Sequence, residues 1–267
     1  MQLSHGARKH EPELTWGSFR EVRWWSHALG KHMIFGVYLP PSGNDLSNLC
    51  FATVFMLHGS GHDHRSLLSQ VQPQDHLRLL NDTILIIPDG DQGWWLDSPL
   101  LRRSRYAQYL LELVELVDDR YPTIAHRHAR GLCGFSMGGY GAMALAAQHP
   151  ELFGSASSLI GTLDIVQMFP DYHRLQVLLG ADLQAWQKAN PTQQAARLSN
   201  TGLLFCTAQR AFDRPQNEAF AEALRSYAIP FTFRIYPGDH NVTFVREHID
   251  ECLTFHRKAF DGSPHES

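Results

Sequence analysis

Cysteine is scarce in this 267-residue chain, with only four. None sits in a C-x-x-C pair, so the sequence offers neither a zinc-knuckle spacing nor a thioredoxin-like redox motif. Cys133 and Cys206 lie in apolar strand-like runs and Cys252 on a helical face, and with Cys50 they read as buried, reduced thiols. An excess of basic charge is also missing. The net charge is -4 and charged residues make up 19%, scattered rather than in a stripe, which excludes the electrostatic footprint of a nucleic-acid binder. No apolar run approaches the ~18 residues that a membrane span needs. The first ten residues are polar and partly basic with no apolar stretch behind them, so no secretory signal is read and a cytoplasmic location is expected. Histidine is plentiful at 16, but neither His62-x-His64 nor His126-x-His128 has a Cys or carboxylate cluster around it. These read as solvated loop histidines, and no metal or cofactor is expected.

What the sequence does have is a rhythm. Residues 1–15 read as a loose arm, and Phe19 to Leu39 holds two extended segments that suit a hairpin, closed by Pro40-Pro41. A loop is expected over 42–49. Short apolar runs follow at Phe51–Leu57, Thr83–Ile87, 129–133, Phe153–Ile160, Leu203–Cys206 and Phe231–Tyr236. Continuous apolar runs of this length suit strands buried on both faces of a parallel sheet. Between them lie helical patterns. Tyr106, Leu110, Leu113 and Val117 share one face, as do Phe220, Leu224 and Tyr227, and Val245, Ile249 and Cys252. Strands alternating with helices imply an α/β fold with a mostly parallel central sheet and helices on both faces. Residues 161–200 break the rhythm and read as an insertion covering one end of the sheet, a small cap within a single domain over 16–267.

One local pattern carries chemistry. Gly134-Phe135-Ser136-Met137-Gly138 follows an apolar run and opens a stretch of small residues, Gly139, Gly141 and Ala142 among them. A strand that turns at once into a helix forces the turning residue into strain and demands very small residues two before and two after. The turn lifts a serine oxygen above the sheet and aims a helix N-terminus at the reacting carbonyl. The bland alternative is a glycine-rich turn with an idle serine. Order along the chain supports the chemical reading. In the α/β-hydrolase fold the nucleophile is followed by an acid and then a histidine. His240 lies in Pro237-Gly238-Asp239-His240, directly after the last strand-like run, where a general base belongs. Asp213 is the first carboxylate after Leu203–Cys206 and is the candidate acid. It could instead merely cap the helix expected at Gln216–Tyr227, and Asp239 is a weaker substitute because adjacent side chains seldom face each other. Two backbone N–H groups should face the developing oxyanion, one from Met137 and one from Ser60 in the loop His58-Gly59-Ser60-Gly61. Trp94 and Trp95, with Asp97, are expected to line the mouth of the site, unless one tryptophan is simply core.

With these parts placed, the chain resembles the esterase family that includes esterase D, S-formylglutathione hydrolases, small-ester esterases and bacterial mycolyltransferases. The resemblance rests on Ser26 to Pro41, Leu57-His58-Gly59, Ile87-Pro88-Asp89-Gly90, Gly93 to Pro99, Gly134 to Ala142 and Pro237 to His240, and runs from about Gly17 to about Arg257. It implies an α/β-hydrolase fold, with Ser136 and His240 as catalytic residues and Ser60 and Met137 as amide donors. The family's acid usually stands near the positions of Arg210 and Ala211; here Asp213 is its displaced match. The cysteine-containing loop of S-formylglutathione hydrolases is absent, so that substrate is not expected. The function read from the sequence is a serine carboxylic-ester hydrolase that acts on small acyl or aryl esters through an acyl-enzyme. The alternatives are an acyltransferase with the same triad, or a catalytically impaired binding protein on the same fold. A small-molecule ester is the expected partner, with no nucleic acid and no membrane; the oligomeric state is left open, a homodimer included.

Overall fold

A computed structural model describes residues 19–40, 50–72, 79 and 82–262. The expected N-terminal arm over 1–15 and the loop over 42–49 lie outside them. The hairpin is there: β1 (Phe19–Ser26) pairs antiparallel with β2 (Lys31–Tyr38), and β2 pairs antiparallel with β4 (Thr83–Pro88). From there the sheet is parallel. β3 (Ala52–Leu57), β5 (Arg130–Phe135), β6 (Ser155–Leu159), β7 (Gly202–Ala208) and β8 (Thr232–Tyr236) complete eight strands in the order β1-β2-β4-β3-β5-β6-β7-β8. Every residue of β3, β4, β5 and β6 is buried, which is why these strands read as unbroken runs without alternation. β8 is a half-exposed edge.

Two apolar layers sandwich the sheet. On one face pack α2 (Tyr106–Arg120), α3 (Met137–Gln148) and α6 (Arg214–Ser226), through Leu110, Leu113, Val117, Leu145, Phe220 and Leu224. On the other lie the short α1 (His64–Ser66), the π-turn after it and α7 (Val242–Asp261), through Leu67, Val71, Phe244, Val245 and Ile249. α3 is apolar all round and wholly buried apart from its last residue, the composition of a helix packed on every side. Residues 161–200 hold α4 (His173–Leu179) and α5 (Leu183–Ala189) between two 3₁₀ segments. Leu163, Ile165, Leu175, Leu178 and Trp186 from this stretch join the main core, and Tyr140 of α3 donates to the Ala189 carbonyl at 3.0 Å. Among the described residues no helix is long and apolar enough to cross a membrane.

Cys133, Cys206 and Cys252 are buried free thiols, as their apolar contexts suggest, whereas Cys50 is exposed. That departs from the expectation for all four: Cys50 stands just before the first parallel strand, outside the layers that bury the others.

Candidate active site

Ser136 sits between β5 and α3 with φ 53° and ψ -120°. A side chain at positive φ is strained, and here the turn enforces it. A Cβ on Gly134 would lie 2.2 Å from the Gly138 carbonyl oxygen, and one on Gly138 2.0 Å from that of Leu57. Only hydrogen fits at either place, so the spacing of the two glycines around the serine is a steric demand of the turn. Gly59 meets the same demand from the neighbouring strand: a Cβ there would be 2.6 Å from the Phe135 ring and 3.2 Å from Ser136 Cβ.

The chain then brings three side chains from three separate loops into one line. Ser136 Oγ lies 2.9 Å from His240 Nε2, and His240 Nδ1 lies 2.6 Å from Asp213 Oδ1. The carboxylate fixes the tautomer: Nδ1–H donates to Asp213, leaving Nε2 to accept from the serine hydroxyl. Asp213 is fully buried, so its charge must be met by donors. Besides the imidazole, Thr207 Oγ1 donates to Oδ2 at 2.6 Å and Asn217 Nδ2 at 2.9 Å. Asp213 occupies the N-cap position of α6, but its side chain makes no capping bond. The turn that leads from β7 to Asp213 is tight: Ala211 N–H donates to Ala208 O and Arg214 N–H to Ala211 O.

Asp239 faces away from the histidine beside it. Arg210 grips it with two hydrogen bonds, Nε to Oδ1 at 2.9 Å and Nη2 to Oδ2 at 2.6 Å. This exposed pair ties the loop that carries Asp213 to the loop that carries His240, and exposed pairs contribute little to stability. Asp239→Asn is therefore expected to leave kcat within about threefold of wild type, in line with the small worth of such pairs. A loss of hundreds-fold in an ester-hydrolysis assay would place the acid at Asp239 instead.

A cavity of about 130 Å³ opens beside the serine, lined by Ser60, His62, Phe135, Ser136, Ile160, His240 and Val242 among others. Ser60 borders this cavity, and Met137 is the first residue of α3, where amide hydrogens have no partner within the helix. The Ser60 hydroxyl donates to Gln92 Oε1 at 2.6 Å. Behind this loop His58 is fully buried, its Nδ1 2.8 Å from the Gly59 carbonyl and its Nε2 accepting from Gly90 N–H at 2.8 Å.

Trp94, Trp95 and Asp97 do not line this cavity, which corrects the expectation for them. Both tryptophans are buried, at 2% and 1% exposure, and both are held at positive φ. Trp95 packs into the notch left by Gly141, where a Cβ would meet it at 2.6 Å, and its indole N–H donates to the His58 carbonyl at 3.3 Å. It props the loop and α3 from behind. Asp97 accepts from the amides of Ala107 and Gln108 at 3.0 and 3.1 Å, holding the first turn of α2. It also borders a larger groove of about 830 Å³ with Arg105, Lys188 and Arg197, which includes neither Ser136 nor His240.

The His62-x-His64 pair also departs from expectation, because α1 begins at His64 and separates the two. His62 lines the cavity and stands edge-on to Phe135; burial, and then the neighbouring His58, hold its pKa below the usual imidazole range. His64 is buried rather than solvated, between Glu21 Oε1 at 3.2 Å and Asp89 Oδ2 at 3.7 Å. Burial pulls its pKa down, but the two carboxylates outweigh it and leave the net shift upward. Sequence reading missed Thr207 and Asn217 as supports of the acid. Of these only Asn217 left a trace, four residues on from Asp213 on the same helix face. It also missed Phe212, whose exposed ring lies 4.4 Å from that of His240.

Comparison with known proteins gives the family and the fold. The family model described as "Putative esterase" matches residues 26–253. The chain is 25% identical over 258 residues to S-formylglutathione hydrolase of Paracoccus denitrificans, covering 86% of this chain and 90% of that one. Among solved structures, the fluorophosphonate-binding serine hydrolase F of Staphylococcus aureus is similar with a TM-score of 0.81 at 20% identity, covering 91% of this chain and 99% of the other. MPT51 of Mycobacterium tuberculosis is similar with a TM-score of 0.76 at 18% identity, again covering 91% and 99%. These neighbours share the α/β-hydrolase fold. The chain belongs to this esterase family, and it is a serine ester hydrolase.

Proposed function

We propose that this enzyme hydrolyses carboxylic esters of small acyl groups, with Ser136 as nucleophile, His240 as general base and acid, and Asp213 as the group that orients the base. The observation that carries the reading is the unbroken line from Ser136 Oγ through the imidazole to a buried carboxylate, at 2.9 and 2.6 Å. His240 Nε2 takes the hydroxyl proton as Ser136 Oγ bonds to the ester carbonyl carbon. The carbonyl oxygen becomes an oxyanion, met by the N–H groups of Ser60 and Met137. The tetrahedral centre collapses, the carbon–oxygen bond to the alcohol breaks, and the imidazolium gives its proton to the departing oxygen. Water then repeats the sequence on the acyl-enzyme, returning the serine hydroxyl and releasing the acid. Asp213 stabilises the imidazolium through its bond to Nδ1–H.

The test is intact-mass analysis after treatment with a fluorophosphonate, for wild type and Ser136→Ala, beside turnover of p-nitrophenyl acetate and butyrate. Wild type is expected to gain one adduct and to turn over both esters. Ser136→Ala is expected to gain none and to lose about six orders of magnitude in kcat. A folded wild type with neither adduct nor turnover overturns the assignment. An S-acyl thioester in the same panel measures whether sulfur leaving groups are accepted, and product analysis with added alcohols separates transfer from hydrolysis.

A further inference from the structure

Ile160 is a β-branched residue held at φ 44°. In that region the Cβ crowds the carbonyl oxygen, and a bulky branched residue there is a genuine outlier. Strain of this kind persists only where the surroundings over-determine it, and it gathers at functional sites. The surroundings here do so. Ile160 follows β6 directly, and its amide donates to the Cys206 carbonyl of β7 at 2.8 Å. The next residue, Gly161, is wedged so tightly that a Cβ would lie 2.0 Å from Ser158 Oγ and 3.2 Å from the carbonyl carbon of Gly139. Thr162 N–H then donates to the carbonyl of Ser136 itself at 3.3 Å. The strand end is pinned on both sides, and an isoleucine, not the adjacent glycine, occupies the position with positive φ. Ile160 is 1% exposed, yet it lines the cavity shared by Ser136 and His240.

We propose that Ile160 is a specificity-determining residue: together with Phe135 it closes the buried end of the acyl pocket and limits the acyl chain to about the length of butyrate. The inference rests on the serine-hydrolase reading above and assigns the substrate class of that site. The cavity measures about 130 Å³. An apolar cavity of ~150 Å³ holds one benzene ring, so this one takes an ester centre and roughly three further carbons. The acyl group belongs at the closed end for a chemical reason. The alcohol leaves first and must exit toward solvent past the imidazole, which is 20% exposed, whereas the acyl group stays bound to Ser136 until water has attacked. Phe135 and Ile160 are the buried apolar walls, and Val242 and Asn241 stand on the more open side.

The experiment measures kcat/KM for p-nitrophenyl acetate, butyrate, hexanoate and octanoate, with the leaving group fixed, on wild type, Ile160→Ala, Ile160→Gly and Ile160→Val. Fluorophosphonate labelling of each variant confirms a competent serine. In wild type the rate is expected to fall steeply beyond butyrate. Ile160→Ala and Ile160→Gly should raise the hexanoate-to-acetate ratio by tenfold or more, at roughly fourfold for each methylene newly accommodated. Ile160→Val keeps the branched Cβ, guards against a failure of the others to fold, and should raise the same ratio by about fourfold for its single missing carbon. A parallel series of acetates with lengthening alcohols should keep its wild-type ratios. Labelled, folded variants with an unchanged acyl profile overturn the inference, and so does a shift confined to the alcohol series. A wild type that neither labels nor turns over overturns the serine-hydrolase reading and this inference together.

Discussion

Asp213→Asn is expected to lower kcat by about four orders of magnitude while KM stays within a few-fold, the pattern of a group whose contribution appears in the transition state. The direction follows from which way the new amide must face. Asn217 Nδ2 donates to Oδ2 of Asp213 at 2.9 Å, and Thr207 Oγ1 reaches the same oxygen at 2.6 Å. Asn217 Nδ2 is a donor only, so the carbonyl oxygen of an asparagine must stay on that side. Its NH₂ group then takes the place of Oδ1 and points at His240 Nδ1, 2.6 Å away in the wild type. A donor facing Nδ1 makes that nitrogen an acceptor and moves the ring proton to Nε2, opposite the serine hydroxyl. The imidazole is still in place but can no longer accept the serine proton. The measurement is steady-state turnover of p-nitrophenyl acetate together with the rate of fluorophosphonate labelling, which should slow in parallel. Near-wild-type rates in a folded Asp213→Asn would remove Asp213 from the mechanism.

Why Asp213 needed the structure is instructive. Chain order and the strand before it singled the residue out, but its place along the loop, later than the family pattern, made reach an open matter. Reach depends on the path of Gln209 to Phe212, a tight turn whose closing bonds run between backbone groups that any sequence possesses. By contrast the positions of Ser136 and His240 left plain signals, because the elbow demands small residues at fixed offsets and His240 follows the last strand directly. The parallel core was equally plain, since strands buried on both faces leave unbroken apolar runs.

The same runs concealed the pocket. Phe135 and Ile160 sit in or beside buried strands, and in sequence an apolar wall of a cavity looks like any other core residue. The tryptophans misled for the opposite reason. Large aromatics near a glycine-rich loop suit a binding mouth, but a pair of residues at φ 56° and 52° turns the chain so that both rings point inward. Positive φ at two successive tryptophans is a choice that no residue preference favours. It is over-determined by tertiary contacts, among them the notch at Gly141 and the bond to the His58 carbonyl. The resulting role is support: Trp95 touches both α3, at Gly141, and the start of the loop that carries Ser60, at the His58 carbonyl.

That junction yields the largest expected effect on stability. Gly138→Ala should lower stability by about 3 kcal/mol or more, at the upper end of what overpacking costs. Alanine is the better helix former by ~1 kcal/mol, so the local preference of α3 opposes the loss and cannot be its source. The loss comes from position. The added methyl would lie 2.0 Å from the Leu57 carbonyl oxygen, 2.5 Å from its carbon and 2.8 Å from the His58 carbonyl oxygen. All three are backbone atoms of a buried strand end, and none can rotate away as a side chain would. The helix must therefore lift from β3, which lowers Tm by roughly 10 °C at about 2–4 °C per kcal/mol for a domain of this size. Lifting also parts the two amides proposed for the oxyanion, because Met137 belongs to the helix and Ser60 to the loop after β3. In molecules that stay folded at low temperature, kcat is expected to fall by about a hundredfold or more, as when one oxyanion donor is lost. Gly61→Ala is the control, at φ 78° with no atom within 4 Å of its Cβ. It carries backbone strain without a clash, so its loss should stay near ~1 kcal/mol. Thermal unfolding of the two variants beside wild type decides the matter: a Gly138→Ala protein that melts within a degree of Gly61→Ala would mean that helix and strand can separate freely, and that the glycine is not what sets the spacing of the oxyanion site.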